Sequence, residues 1–317
     1  MLLEPMPHGP VKPPTPLAHR SDRLDFLRQK IGCIENSALP ARKIRFGDNC
    51  RLDRALHGLG RGVLHEIAPA SAGDGPAASG FALALCARFK AEAAPGRSAI
   101  IWIVEDFAGR EGGAPYGPGL ALYGLDPACF ILVRTASARD SLWTMEEALK
   151  CRAAAAVVGE IWTLEKLYGL PVSRRLALAA QAGGAGALLL AAGMAGGAGR
   201  LSSCAHTRFE ISAARSGGAP RGSPLSGLPL PARQELPQPG LAAWSIRILK
   251  ARAIGPANGA DPIAILWDHD EGCFRDAFPL RFSADASDRP DHPAHARAGS
   301  RGISREIKEG INFRQSA

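Results

Sequence analysis

The sequence predicts an α/β protein: a mostly parallel sheet flanked by helices, with a small antiparallel β extension on its C-terminal side. Three observations predict it. Between residues 98 and 192, continuous apolar runs recur, as expected of parallel strands buried on both faces. Stretches with helical spacing alternate with those runs, which is the βαβ pattern. After Gly193 the pattern changes to polar–apolar alternation, the mark of strands with one solvated face.

The elements follow in order. Residues 1–20 hold six prolines and read as a disordered leader. In residues 21–45, Ser21 or Asp22 can cap a helix carrying Leu24, Leu27, Ile31 and Ile34, followed by a linker. Ile44 and Phe46 begin a strand. The core spans residues 46–215. Val63 to Ile67 is a short strand, Ala68 to Gly80 a loop rich in small residues, and Ala78 to Lys90 a helix with Phe81, Leu85 and Phe89 on one face. Strands follow at 98–104, 130–133, 153–158 and 185–192. Between them come a loop at 109–119, a short helix at 120–126, a helix capped by Asp140 or Ser141, and a helix at 173–182. Arg208 to Ser212 alternates. Residues 216–240 are a Gly/Pro-rich flexible loop, residues 241–282 the β extension, and residues 283–317 a disordered tail with a short helical stretch at 303–311.

At 317 residues the chain can bury a sizeable core. Its 46% hydrophobic and 21% charged residues suit a globular protein. The net charge is +8. Eight Lys/Arg against two acids between residues 200 and 260 supply most of it, and such a region favours phosphate backbones or an acidic partner. The seven cysteines are dispersed without C-x-x-C, which indicates neither a zinc site nor a disulfide framework and implies a reducing cytosol. No signal peptide is expected, and the location implied is cytoplasmic. The uncharged stretch 176–199 reads as helix, turn at Gly183-Gly184, and buried strand rather than a membrane span.

Strand, small-residue loop, helix is the frame of a phosphate-binding loop. Ser71, Gly73, Asp74, Gly75, Ser79 and Gly80 fill that frame, with Gly75 and Gly80 five apart. The chemistry does not match. G-x-x-x-x-G-K-[ST] needs Lys on the β/γ-phosphates and Ser/Thr on magnesium. Phe81 stands at the first position and Ala82 at the second. The acids Glu105, Asp106 and Glu160 end strands, where sheets of this kind bind ligands. His65, beside Glu66 in a strand, reads as structural. Ser71 and Ser79 have no triad partner or nucleophile elbow. Arg247, Lys250 and Arg252 lie toward one side of a strand and form a candidate DNA or partner surface. Trp244 and Trp267 nearby are either core residues or base-stacking platforms.

The order of these motifs is recognisable. Leu52 to Leu56 and Gly60 to Ile67, Trp102 to Asp106, Tyr123-Gly124-Leu125-Asp126, Ala156 to Glu160 and Ser203 to Ile211 make residues 45–282 resemble the RecA recombinase core. They resemble most closely the degenerate ImuA family of damage-inducible mutagenesis proteins. The resemblance matches Trp102 to Asp106 to the second core strand, where RecA carries its catalytic Glu, and places Gly159-Glu160 where Walker B has Asp-Ser. It places Leu190-Ala191-Ala192 where RecA has an Asn-Gln sensor. The segments matching the DNA-binding loops, near 162–172 and 193–202, are short. The phosphate charge, metal ligand and water-positioning group are each a requirement of phosphoryl transfer. Their joint loss in the resemblance implies a chain that does not hydrolyse ATP, with no cofactor and no catalytic residue.

The resemblance implies a non-catalytic RecA-like accessory factor in SOS-induced error-prone translesion DNA synthesis. The partners it implies are an ImuB-type inactive Y-family polymerase, an error-prone replicative-type polymerase and RecA, with a weak direct DNA contact and no membrane role. Two alternatives stand beside it. One is a SulA-like cell-division inhibitor. The other is a RecA-like ATPase whose phosphate loop is rebuilt around Arg61 or Lys90. A dinucleotide-binding oxidoreductase fits poorly, because Gly58, Gly60 and Gly62 precede the strand that a fingerprint would follow.

Overall fold

The computed structural model describes residues 42–164, 167–215, 241–252 and 261–277. The leader, the helix expected after Ser21, the 216–240 loop and the 283–317 tail lie outside the described residues.

The strands are β1 (Lys43–Ile44), β2 (Leu59–Gly60), β3 (Leu64–Pro69), β4 (Ala99–Glu105), β5 (Phe130–Thr135), β6 (Ala154–Ile161), β7 (Gly186–Ala191), β8 (Thr207–Ala213), β9 (Ala243–Ala251), β10 (Ile263–Asp268) and β11 (Cys273–Asp276). The helices are α1 (Arg51–Leu56), α2 (Gly75–Ala91), α3 (Asp106–Gly112), α4 (Gly117–Ala121), α5 (Ala138–Leu149) and α6 (Leu170–Gly183). Among the described residues nine strands form one sheet, in the order β11-β10-β9-β8-β3-β7-β6-β4-β5. From β8 to β5 all neighbours are parallel. From β8 to β11 all are antiparallel. The fold is therefore a mixed α/β sheet with a mostly parallel core and antiparallel C-terminal strands, as the apolar runs predict.

Helices cover both faces, which is why β3, β6 and β7 are buried along their whole lengths. Helix α2 lies on one face with Phe81, Leu85 and Phe89 fully buried. Gly186 makes its close approach to the sheet achievable, since a Cβ there would lie 2.6 Å from the Phe89 ring. Helices α5 and α6 cover the other face around Leu142, Met145, Leu149 and Leu176. The stretch 176–199 is helix, left-handed Gly184 (φ 75°) and strand, as expected.

Several boundaries differ from expectation. Helix α2 begins at Gly75, three residues before Ala78, because Pro76 in the first turn carries the φ that starts a helix. Ser137, not Asp140 or Ser141, caps α5, its hydroxyl accepting from the Asp140 N–H at 3.2 Å. The short helix expected at 120–126 is displaced to α4 and followed by turns. Residues 106–112, expected in part as loop, form α3. Strand β8 is parallel to β3 despite its alternating pattern, which reflects an aromatic face on one side and ionic groups on the other.

Candidate functional site

A cleft of about 280 Å³ opens where α2 begins and β3, β6 and β7 end. It is lined by Ser79, Gly80, Leu83, Trp102, Tyr123, Glu160, Trp162 and Leu190, with small residues from 112 to 115 at its side. The C-terminal ends of parallel strands are where sheets of this kind bind ligands.

The loop residues have other roles. The Ser71 N–H and hydroxyl both donate to Asp74 Oδ2, at 3.1 and 2.6 Å. Asp74 Oδ1 accepts from the Ala213 N–H at 2.8 Å and ties the turn to the end of β8. The Ser71 hydroxyl, then the backbone donors, hold the Asp74 carboxyl below its usual range. Gly75, Ser79 and Gly80 belong to α2, so from Ser79 onward the backbone N–H groups close helical turns and are unavailable to a phosphate. Of the six predicted residues, Gly75, Ser79 and Gly80 line the cleft, whereas Ser71, Gly73 and Asp74 do not. A Cβ on Gly80 would meet the Tyr123 hydroxyl at 2.9 Å.

Phe81, at the position of the missing lysine, is fully buried and joins an aromatic cluster. Its ring lies 5.6 Å from Phe209, 5.9 Å from Trp244 and 5.6 Å from Phe274. That cluster fastens α2 to the C-terminal β extension. The Trp244 Nε1–H donates to the Ala77 carbonyl at 2.8 Å, and Trp267 is buried among Tyr123 and Phe274. Both tryptophans are core residues. Arg61 offers no replacement lysine. It donates to the Phe89 and Glu92 carbonyls at 3.1 and 2.9 Å, at the opposite end of α2. Lys90 also lies in the last turn, roughly 20 Å of helix away from Gly75. Arg61 and Lys90, the two residues of the alternative rebuilt loop, thus both lie at the far end of α2 from Gly75.

The strand-end acids divide. Glu105 accepts the Trp162 and Thr163 N–H groups at 2.7 and 3.0 Å and braces the segment after β6. Glu160 stays in the cleft. It is 5% exposed, with Trp102 Nε1–H donating at 2.8 Å and the Ser79 hydroxyl at 3.3 Å. Burial raises its pKa, and those two donors only partly oppose it.

His65 is a satisfied core residue. Its Nε2–H donates to the Gly60 carbonyl at 2.8 Å, and its Nδ1 accepts from the Thr207 hydroxyl at 2.7 Å. Burial lowers its pKa to about 3, so the ring is neutral.

The basic strand is internally engaged. A bulge between Arg208 and Phe209 pairing places Arg247 and Lys250 on one face of β9, as the shift in pattern predicts. Arg247 donates to Glu210 at 2.8 Å, and its side chain remains half exposed. Lys250 is partly buried and donates to the Ser203 carbonyl at 2.7 Å. Burial first, then Arg252, lowers its pKa. Arg252 is half-buried after β9, its backbone N–H bonded to the His206 carbonyl. This is a folded ionic network more than an open basic stripe. Its centre escaped the sequence reading: Arg208 Nε donates to Glu66 at 2.5 Å, and the Tyr168 hydroxyl donates to the same carboxylate. Two charges in the middle of apolar strands were the available signal.

No protein-family model matches this chain, and no curated protein matches it. Among solved structures it is similar to the crystal structure of SulA from Pseudomonas aeruginosa, at 20% identity over 40% of this chain and 96% of that chain (TM-score 0.30). It is also similar to the crystal structure of the RadB recombinase, at 14% identity over 74% of this chain and 100% of that one (TM-score 0.42). At such values the likeness says nothing about activity, ligands or partners.

Proposed function

We propose that this protein is a non-catalytic RecA-like accessory factor in SOS-induced error-prone translesion synthesis, acting through protein contacts. The observation that carries the non-catalytic part is Phe81. The place of the phosphate-binding lysine is taken by a core aromatic, and α2 absorbs the loop that would cradle phosphate. Nucleotide turnover needs positive side-chain charge there, and no Lys or Arg lines the cleft among the described residues.

A protein-docking role has a matching surface. Among the described residues the sheet ends at β5, an edge strand whose Ile131 and Leu132 are 50% and 38% exposed. Helix α5, which packs against β4, β5 and β6, exposes Trp143 at 61%. Unpaired edges bearing apolar side chains invite strand addition or side-on association. The partners in this reading are an ImuB-type inactive polymerase, the error-prone polymerase and RecA. Purified partners would be passed over immobilised protein, wild type against Ile131→Asp/Trp143→Asp. Retention that disappears in the variant supports the reading. No retention of any of the three by wild type would sink it. Calorimetry with MgATP should show no binding heat, and micromolar binding accompanied by phosphate release would overturn the non-catalytic part.

A further inference from the structure

Glu160 is a carboxylate set in a small apolar cleft, with no charged hydrogen-bond partner among the described residues. A carboxylate offers about four acceptor sites. Trp102 and Ser79 occupy two of them, the second at 3.3 Å, and both donors are neutral. None of the residues lining the cleft is Lys, Arg or His. The walls are the indoles of Trp102 and Trp162, the Tyr123 ring, Leu83 and Leu190. Aromatic side chains beside a buried carboxylate favour a cation over an anion. The volume, about 280 Å³, sits at the low end of the roughly 300–1,000 Å³ usual for ligand sites, which suits a small group. The small residues at 112–115 leave one side open, and Ala114 and Gly113 there are exposed.

We infer that this cleft binds a compact organic cation, a guanidinium or ammonium on a slim apolar stem, with Glu160 as its counter-charge and the aromatic side chains as its walls. The cation could come from a free small molecule or from a basic side chain presented by another protein. The site does not depend on the docking role proposed above.

The test titrates the full chain with benzamidine and with N-acetyl-arginine methylamide. Readouts are calorimetry and the indole N–H resonance of Trp102. The controls are benzoate, MgATP and N-acetyl-norleucine methylamide, a neutral analogue of similar shape. Saturable millimolar or tighter binding of a cation that moves the Trp102 resonance is expected, with Glu160→Gln weakening it by about tenfold or more. Binding of both cations assigns the side-chain source, and binding of benzamidine alone assigns the small-molecule source. Should Glu160→Gln fold poorly, Ala114→Trp on the exposed rim narrows the opening and should weaken binding as well. The inference is overturned if neither cation binds. It is equally overturned if the neutral analogue binds as well as the cations, or if both variants fold and bind like wild type.

Discussion

Phe81 shows how one side chain redirects a whole site. With its ring enclosed by Phe209, Trp244 and Phe274, a lysine there would bury an ammonium in an aromatic core. Phe81→Lys should therefore not restore ATP binding. It should cost at least the roughly 3–5 kcal/mol of a large-to-small core change, measured by urea denaturation. A protein of wild-type stability that gains ATP affinity would contradict the assignment. His65 makes a second prediction. Its folded pKa of about 3 lies below the ordinary value of 6.5, so below pH 6.5 the unfolded chain takes up a proton that the folded one refuses. Stability is thus lost as pH falls from 6.5. This one group accounts for about 2 kcal/mol by pH 5. Denaturant midpoints at pH 7.5 and 5.0 measure the drop, and His65→Gln should flatten part of it. His206, also held low chiefly by burial, contributes the same sign.

Between elements, contact distance decides what a position tolerates. Gly183 ends α6 against the C-terminus of α5, where a Cβ would fall 1.8 Å from the Leu149 carbonyl oxygen. Gly183→Ala must separate the two helices and should cost about 1–3 kcal/mol. Gly75, at the start of α2, has a helical φ of −50°, and a Cβ there would meet nothing within 4 Å. Gly75→Ala should be neutral or stabilising by up to about 1 kcal/mol. Thermal melts of the pair test the contrast; equal effects would mean that the α5–α6 contact is looser than described. At the β3–β8 junction, Arg208 is the counter-charge of a carboxylate that is 1% exposed. Arg208→Ala leaves Glu66 buried without it and should cost about 3–5 kcal/mol. A loss below about 1 kcal/mol would show that Tyr168 and water suffice.

For the whole molecule, the aromatic cluster makes the β extension part of the core. Phe274 touches Phe46, Phe81, Trp244 and Trp267, which come from distant stretches of the chain. The described elements should unfold in a single transition, with tryptophan emission and far-ultraviolet dichroism coinciding. Removing residues 241–317 would uncover the β8 edge and the Phe81 face, and the product should aggregate. A separate early transition of the extension would contradict this. Charge also looks different at this scale. The basic excess between residues 200 and 260 includes Arg208, Arg247 and Lys250, each of which donates within the fold. Of these three, only the exposed part of Arg247 remains for a phosphate or an acidic partner. No helix among the described residues is long and apolar enough to cross a membrane.

The sequence alone determined the class of fold. Apolar runs such as Ile100–Val104 and Ala154–Val158 must be buried on both faces, and that requirement is local and periodic. It also determined that the phosphate loop lacks its lysine, because a missing residue type is visible without coordinates. It did not show that Gly75–Gly80 belong to a helix, since glycine-rich spacing fits a loop equally well and Pro76 acts through one backbone angle. It did not show that Arg247 and Lys250 are engaged, or that Glu66 finds Arg208 across 142 residues. Pairing between charges depends on which strands the sheet order brings together. Only the tertiary structure decides that order, and with it the place of Glu160 in a cleft that no Lys, Arg or His lines among the described residues.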